Sequence, residues 1–515
     1  MAPRVVHFGE ARVSIEDVVD VAQQRAGIRL SESSEFRDKI ARSADLLDRI
    51  LEEDGVVYGV TTGYGDSCTV EVPASMVWEL PVQLTRFHGC GTGRYFSVES
   101  GRAVMVARLV SLCQGYSGVS MPLLDLLATF IDKNVVPLIP EEGSVGASGD
   151  LTPLSYVAAA LIGERQVTLD GETRDTPDVL KELGLAPHKL RPKEGVALMN
   201  GTAVMTGLAC IAFARAEYLS RLASRITSFA TLALKGNAFH FSKELFDLKP
   251  HPGQAQVAYW IRSDLEHEEM PRNPMRLQDR YSIRCAPHVI GVLADALPYF
   301  RSQIETELNS TNDNPIIDPD HELVLHGGHF YGGHIAFVMD SMKNAVANIA
   351  DLLDRQMALL VDTKYNNGLP SNLSGASKDR AMINHGFKAV QIGTSACTAE
   401  ALKLTMPASA FSRSTECHNQ DKVSMGTISA RDCIRILELT EQVAAAVLLA
   451  AVQALELRLR AGELSRSHLL PTLLEMKGSV FSDFEFLVED RPLDGELRRF
   501  TSLIQNRAWN LYDEV

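Results

Sequence analysis

Paired cysteines and metal-type cysteine spacings are missing from this sequence. Its eight cysteines are scattered singly, and no two of them form a CxxC pair. Such scattering argues against a disulfide framework and against a cysteine-based zinc site, and it suits a reducing compartment. We therefore expect a cytoplasmic protein without a metal site.

An excess of positive charge is also missing, and so is a long apolar run. The chain carries 50 Lys and Arg against 65 Asp and Glu, a formal net charge of −15. Nucleic acids and anionic membranes favour basic surfaces, so neither is an expected partner. The most apolar run, residues 443–452, is too short to span a bilayer and fits a buried helix. Residues 1–19 lack the apolar centre of a secretory signal.

The chain has enough apolar sequence for a large core, since 45% of its 515 residues are hydrophobic. Glycine, serine and threonine cluster in the first 210 residues, as loops and tight turns do. Long Ala/Leu-rich stretches of the kind found in helical bundles follow from residue 206. The pattern predicts a mainly α fold. We expect a loop-rich N-terminal domain, residues 1–205, and a central and C-terminal helical bundle, residues 206–515. Strand-like segments are few and short, mostly near residues 5–13, 166–169 and 322–325.

The most informative string is GSVGASGDLTPLSY, residues 143–156, with Ala147-Ser148-Gly149 at its centre. In a glycine-rich bend the amide nitrogen of Gly149 can attack the carbonyl carbon of Ala147. Loss of two waters then leaves a methylidene-imidazolone, an electrophile whose alkene carbon is the Ser148 Cβ. Glycine suits the attacking position because it has no Cβ and tolerates strained dihedrals. For an isolated Ala-Ser-Gly string a polar turn is the better interpretation, so the companion motifs decide.

Five further strings accompany the electrophile motif. They are YGVTTGYG at 58–65, EGVALMNGT at 194–202, QDRYSIRCAP at 278–287, ELNSTNDNP at 307–315 and HGGHFYG at 326–332. With the first string they closely resemble the signatures of the aromatic amino acid ammonia-lyase and aminomutase family, over roughly residues 56–426. The resemblance implies a histidase-like fold with an N-terminal electrophile domain and a central bundle. It also implies a methylidene-imidazolone formed from Ala147, Ser148 and Gly149, and a homotetramer whose active sites draw on three subunits.

The resemblance assigns proton transfer to two tyrosines. Tyr58 takes the position of the general base, and Tyr281 lies beside the electrophile and assists proton transfer. A phenol titrates near 10 in water, so we expect the site to lower the pKa of Tyr58. The glycines around Tyr58 suit a mobile lid.

The resemblance also places residues around the backbone of the substrate. Arg284 binds the carboxylate, because a guanidinium makes a bidentate contact that an ammonium does not. The others are Asn200 at the electrophile or the amine, Gln278 lining the site, Asn312 near the carboxylate, and Phe330 as an aromatic wall. His329 stands where the family usually has asparagine, so no role is carried over to it.

Three places bear on substrate choice. Phe87-His88 is a hybrid, since similar phenylalanine lyases have Phe-Leu, tyrosine lyases often His-Leu and histidases Ser-His. Lys388 in FKAVQI matches the lysine of phenylalanine lyases, and Glu416 and Gln420 in TECHNQDKVSMG match their Glu-x-His-Asn-Gln string. A glutamate that histidases insert after Gln420 is missing. Lys388 and Glu416 form either a buried pair near the amine or two solvated side chains.

These motifs predict an L-aromatic amino acid ammonia-lyase that acts on L-tyrosine or L-phenylalanine and releases p-coumarate or cinnamate and ammonia. His88 favours tolerance of ring hydroxyls, including the catechol of L-DOPA, which gives caffeate. Two enzyme alternatives stay open: a histidine ammonia-lyase, favoured by His88, and an aromatic 2,3-aminomutase, which retains the product under a rigid lid. A non-catalytic helical scaffold is a third, although it should have lost Ser148, Tyr58 or Arg284.

Overall fold

Helices make up most of the structure, a computed structural model that describes residues 4–53, 55–266 and 276–512. The helices are α1 Ile15–Ala22, α2 Ser34–Glu52, α3 Leu80–Phe87, α4 Val98–Leu112, α5 Met121–Asp132, α6 Leu151–Leu161, α7 Thr176–Glu182, α8 Glu194–Met199, α9 Ala203–Ala233, α10 Lys243–Asp247, α11 Pro252–Leu265, α12 Tyr281–Arg284, α13 Ala286–Leu308, α14 Gly333–Val361, α15 Lys388–Lys403, α16 Gly426–Arg460, α17 Pro471–Asp483 and α18 Asp494–Gln505. The predicted mainly α fold is confirmed.

The strands are short and form small separate sheets. They are β1 Arg4–Phe8, β2 Ala26–Leu30, β3 Thr92–Tyr95, β4 Val136–Pro137, β5 Pro140–Glu142, β6 Gln166–Leu169, β7 Glu172–Asp175, β8 Ile316–Asp318 and β9 Leu323–Leu325. Strands β1 and β2 pair in parallel, with Arg4 opposite Ala26. The other pairs, β3–β5, β4–β6, β6–β7 and β8–β9, are antiparallel. Strands β1 to β7 lie within residues 1–205, the part rich in glycine and serine, whereas β8 and β9 lie within residues 316–325.

Helix starts follow from capping residues in the sequence. The Ser33 hydroxyl accepts a hydrogen bond from the Phe36 amide at the start of α2, and Ser97 does the same for the Ser100 amide at the start of α4. A side-chain oxygen here satisfies an amide that has no partner within the helix. Helix α4 is buried along nearly its whole length, including Arg108.

The chain divides into two units. The first unit comprises residues 1–214, 300–340 and 407–431, and the second comprises residues 215–299, 341–406 and 432–515. Each unit is therefore assembled from three separate stretches of sequence. The expected division into an electrophile domain, residues 1–205, and a helical bundle, residues 206–515, stays a prediction.

Helix α16 contains the most apolar run of the sequence. Among the described residues it is the one helix whose length and composition would allow it to cross a membrane, and 78% of its apolar window is buried inside the protein. Residues 443–452 are all buried. A long apolar helix in a protein core has the same length and composition as a membrane span. The prediction of a buried helix therefore fits the structure.

Candidate active site

The Ala147-Ser148-Gly149 string lies in the loop that precedes α6. Ser148 and Gly149 both adopt left-handed backbone conformations, with φ of +49° and +77°. A Cβ added to Gly149 would overlap the backbone of Gly201, so only glycine fits there. The Gly201 amide donates to the Ser148 carbonyl oxygen at 3.2 Å, and the Asp150 amide donates to the Gly201 carbonyl oxygen at 2.8 Å. The bend that ring closure requires is therefore held by a second glycine.

Asp150 anchors this bend. Its buried carboxylate accepts hydrogen bonds at 3.0 Å from the amides of Val204 and Met205, at the start of α9. The hydroxyl groups of Ser144 and Thr427 also donate to it. Burial raises the pKa of Asp150 to about 6, while these donors favour its charged form. Sequence reasoning missed this residue, although its position directly after the string is a usable signal.

The backbone bend at residues 147–149 fits a methylidene-imidazolone, because Ser148 and Gly149 are left-handed and Gly149 has no Cβ to obstruct ring closure. The Asn200 side chain is buried, and its Oδ1 has no hydrogen-bond partner within the described chain. An unpaired buried acceptor is costly, so it points to a donor supplied by a ligand. Gln420 Nε2 donates at 3.3 Å to Ser148 Oγ, the oxygen that leaves as water when the ring closes. Over the residues that the structure covers, no group of three or more His, Cys, Asp or Glu side chains is arranged to hold a metal ion.

Two cavities in the first unit share their lining at the electrophile. Both are lined by Tyr58, Gly65, Ser148, Asn200 and Gln420. The first, of about 530 Å³, also has Tyr64, Leu84, Phe87, His88, Leu151, Val196 and Glu416 in its wall. The second, of about 400 Å³, adds Ala147, Asn314, His326, Phe330, Tyr331 and Lys422. Both walls combine aromatic with polar side chains, as sites for small aromatic molecules with polar groups do.

Tyr58 lines both cavities beside Ser148, and its pKa is displaced in the opposite direction to the prediction. Burial raises the pKa of Tyr58, and the charges of Glu416 and Cys68 raise it further. The Gly65 amide donates to the phenol oxygen at 2.7 Å and is the contact that lowers the pKa. The expected lowering was wrong for a single chain, because the negative Glu416 lies nearby and burial disfavours a phenolate.

The wall of the first cavity combines aromatic rings with a neutral imidazole. The Phe87 ring lies 4.5 Å from the His88 ring and 6.5 Å from the Tyr64 ring, measured between centroids. Burial lowers the pKa of His88 to about 4. His88 is therefore neutral at pH 7 and has one ring donor and one ring acceptor. The Tyr64 hydroxyl is buried without a partner among the described residues.

Glu416 contacts the loop that contains Tyr58. Its two carboxylate oxygens accept from the Asp66 amide at 3.0 and 3.1 Å. Lys388, the expected partner of Glu416, belongs to the second unit, where it is the exposed first residue of α15. The Lys388–Glu416 pair stays a prediction.

Asn312 lies in the first unit, next to Gly201. Ser111 donates to its Oδ1 at 3.3 Å, and a Cβ added to Gly201 would overlap the same oxygen. Asn312 is buried there, and its expected contact with the substrate carboxylate stays a prediction. The buried Arg108 donates to the Asn200 carbonyl oxygen at 2.8 Å. Burial lowers the pKa of Arg108 to about 10, so it remains charged at pH 7. Sequence reasoning missed this support.

The remaining predicted residues, Gln278, Tyr281 and Arg284, belong to the second unit. The Tyr281 side chain is 72% exposed, and the guanidinium of Arg284 lies 4.7 Å from the centre of its ring. Arg284 Nε also donates to the Asp279 carbonyl oxygen at 3.0 Å. The two side chains therefore form one surface feature at α12.

Known proteins resemble this chain over nearly its whole length. Residues 13–474 match the family described as aromatic amino acid lyase. The chain is 36% identical to a tyrosine 2,3-aminomutase of Chondromyces crocatus, over 94% of this chain and 93% of that protein. It is 35% identical to a histidine ammonia-lyase of Staphylococcus aureus, over 87% and 88%. The crystal structure of a tyrosine aminomutase from Streptomyces globisporus aligns with a TM-score of 0.90 at 33% identity, covering 98% and 97% of the two chains.

Proposed function

Because this chain belongs to the aromatic amino acid lyase family of ammonia-lyases and aminomutases, we propose that it eliminates ammonia from L-tyrosine and forms p-coumarate. L-Phenylalanine and L-DOPA are further substrates in this proposal. The observation that carries it is one cavity with Tyr58, His88 and Ser148 in its wall.

The electrophile, Tyr58 and Asn200 have separate roles in the proposed elimination. The methylidene-imidazolone supplies the electrophile that makes the amine a viable leaving group. Tyr58, as a phenolate, removes the β-proton, and the Gly65 amide stabilises the charge on its oxygen. Asn200 Oδ1, which is buried and without a partner among the described residues, accepts a hydrogen bond from the substrate amine.

Residues of the second unit bind the carboxylate and complete the site from a neighbouring copy of the chain. Tyr281 is too exposed in one chain for a group that must work out of water. We propose that a homotetramer covers it and brings Arg284 to the substrate carboxylate. Arg284 and Lys388 then supply the positive charge that lowers the pKa of Tyr58. The cytoplasm, as the scattered cysteines indicate, is the proposed location.

The first cavity favours a hydroxylated ring. Phe87 and Tyr64 supply aromatic contacts, and the neutral His88 supplies a donor and an acceptor for a phenolic hydroxyl. Two of the similar proteins are named for tyrosine, which supports the same choice.

A tyrosine 2,3-aminomutase is the second candidate. It uses the same residues but returns the amine to the β-carbon before the product leaves. The contact of Glu416 with the Asp66 amide favours it, because this contact holds the Tyr58 loop in place.

The test offers L-tyrosine, L-phenylalanine, L-DOPA and L-histidine separately to the purified protein. Absorbance reports the conjugated acrylate, and chromatography separates the α- and β-amino acids. We expect p-coumarate as the main product and the fastest reaction with L-tyrosine. A β-amino acid as the main product favours the aminomutase, and urocanate alone overturns the proposal.

His88→Leu should shift selectivity from tyrosine towards phenylalanine. Removing a hydrogen bond to the ring hydroxyl costs about 1–3 kcal/mol, which lowers the tyrosine-to-phenylalanine ratio of kcat/KM by about 5- to 150-fold. Steady-state kinetics with both amino acids measure this ratio. His321→Leu is the matched control, because His321 is exposed in a loop of the first unit. An unchanged ratio in His88→Leu refutes the role of His88.

A further inference from the structure

Residues 415–420 form a narrow turn that carries two site residues. The Thr415 amide donates to the Gln420 carbonyl oxygen at 3.0 Å, and the Gln420 amide donates back to the Thr415 carbonyl oxygen at 3.2 Å. The Thr415 hydroxyl also donates to the Gln420 side chain at 2.9 Å. We call this turn, residues 415–420, the lid latch. The reciprocal hydrogen bonds between Thr415 and Gln420 fix the position of Glu416 relative to Gln420.

The Glu416 end of the lid latch contacts the lid loop, which we define as residues 58–72. Both carboxylate oxygens of Glu416 accept from the Asp66 amide. The carboxylate also lies against Gly65, where an added Cβ would overlap it. Since the Gly65 amide donates to the Tyr58 hydroxyl at 2.7 Å, Glu416 fixes the peptide that holds the general base.

The lid loop is internally well formed, so a contact at its tip acts on the whole loop. The Gly63 amide donates to the Val70 carbonyl oxygen, and the Val72 amide donates to the Thr61 carbonyl oxygen, both at 2.9 Å. Such a loop moves as one body about its ends rather than unravelling.

The Gln420 end of the lid latch contacts the electrophile loop. Before ring closure Gln420 Nε2 donates to Ser148 Oγ at 3.3 Å, and Gln420 shares both cavity walls with residue 148. One turn therefore lies beside both the loop with the general base and the loop with the electrophile.

We propose that Glu416 is a positioning residue that latches the lid loop over the bound ring and so sets how long an arylacrylate stays in the cavity. The inference rests on the proposed elimination reaction. A hydrogen bond from a backbone amide to a carboxylate is charge-assisted. The contact between the Asp66 amide and Glu416 therefore holds the loop when the site is occupied. Loss of the contact frees the lid loop and lets the arylacrylate leave sooner.

The first experiment measures the latch without any catalysis. Hydrogen exchange at the Gly65 and Asp66 amides is followed in a Ser148→Ala background, with and without Glu416→Ala. We expect Glu416→Ala to speed exchange at these amides by about tenfold or more, as a local opening of the loop does. Glu416→Gln should fall between, because its amide oxygen still accepts. Glu322→Gln, at an exposed ion pair with Arg49, is the control and should change nothing there. Unchanged exchange in Glu416→Ala overturns the latch.

The second experiment measures product residence. In the same background, stopped-flow fluorescence gives the dissociation rate of p-coumarate, and Glu416→Ala should raise it at least several-fold. A rate equal to that of the background overturns the inference. Protein that does not bind p-coumarate but keeps protected amides at Gly65 and Asp66 contradicts the proposed reaction instead, so the two failures are distinguishable.

A pH profile separates positioning from general damage. In the first unit the ionisable groups that face Tyr58 are Glu416, Cys68 and Tyr64. Glu416→Gln removes a charge that raises the pKa of Tyr58 but keeps an acceptor for the Asp66 amide, so the Gly65 contact with Tyr58 persists. The limb of kcat/KM that reports Tyr58 therefore moves to lower pH in active Glu416→Gln. A merely structural defect lowers kcat/KM at every pH and leaves the limb in place, which counts against the inference.

Discussion

Ser148→Ala is expected to lower kcat for L-tyrosine by about 10⁴-fold or more, since it removes the carbon of the electrophile and leaves only binding and proton transfer. The same substitution should remove the mass deficit of two waters that ring closure gives the natural chain. Intact mass and steady-state kinetics on one preparation test both statements together. A mutant that deaminates at the natural rate overturns the proposed chemistry.

Two further variants make this test specific. Gly149→Ala keeps Ser148 but should also abolish the mass deficit, because its Cβ overlaps the backbone of Gly201 and the bend cannot form. Ser482→Ala, at an exposed position of α17, should keep both the deficit and the natural rate. Retention of the deficit in Gly149→Ala contradicts the geometry of the loop.

Two inactive variants are expected to restore activity to each other when they assemble together. Ser148→Ala and Tyr281→Phe, each lowered by about 10²-fold or more alone, are co-expressed with different tags and purified as mixed assemblies. When the two variants mix at random in a closed oligomer, about a quarter of the shared sites receive a natural Ser148 from one chain and a natural Tyr281 from another. We therefore expect about a quarter of natural activity.

The control pair separates shared sites from simple stabilisation. Ser148→Ala and Tyr58→Phe affect two residues of one cavity within a single chain, so their mixture contains no site with both natural residues. We expect no recovery from that pair. Equal recovery by both pairs, or none by either, contradicts a site that draws on more than one copy.

The bend at residues 147–149 and the pairing of Phe87 with His88 were predictable because each lies in a short stretch of sequence. Ser148 and Gly149 have the left-handed conformation that a glycine-rich bend favours, and Phe87 and His88 are neighbours in the chain as well as in the cavity. The long helices were also predictable, since their apolar patterns extend over many residues.

The environment of Tyr58, the proposed general base, was not predictable, because it is set by residues far away in sequence. The pKa of Tyr58 depends on burial and on Glu416, and the sequence does not state that the two approach each other. The same holds for Asn312, whose side chain is engaged by Ser111 on α4. Each unit is assembled from three stretches through contacts between residues that are far apart in sequence. Amino-acid composition does not reveal such contacts.

The lid latch has a thermal consequence. Glu416, Cys417 and His418 adopt φ of +50°, +53° and +67° in succession, a conformation that costs each such residue roughly 1–2 kcal/mol. Contacts at the two ends of the turn must offset this cost, whereas the long helices are held by extensive burial. We therefore expect warming to loosen the turn before the helices melt, and the rate to fall while the protein is still folded, because the Gly65 peptide then no longer holds Tyr58. This loss of rate should be reversed on cooling, with constant far-ultraviolet circular dichroism throughout.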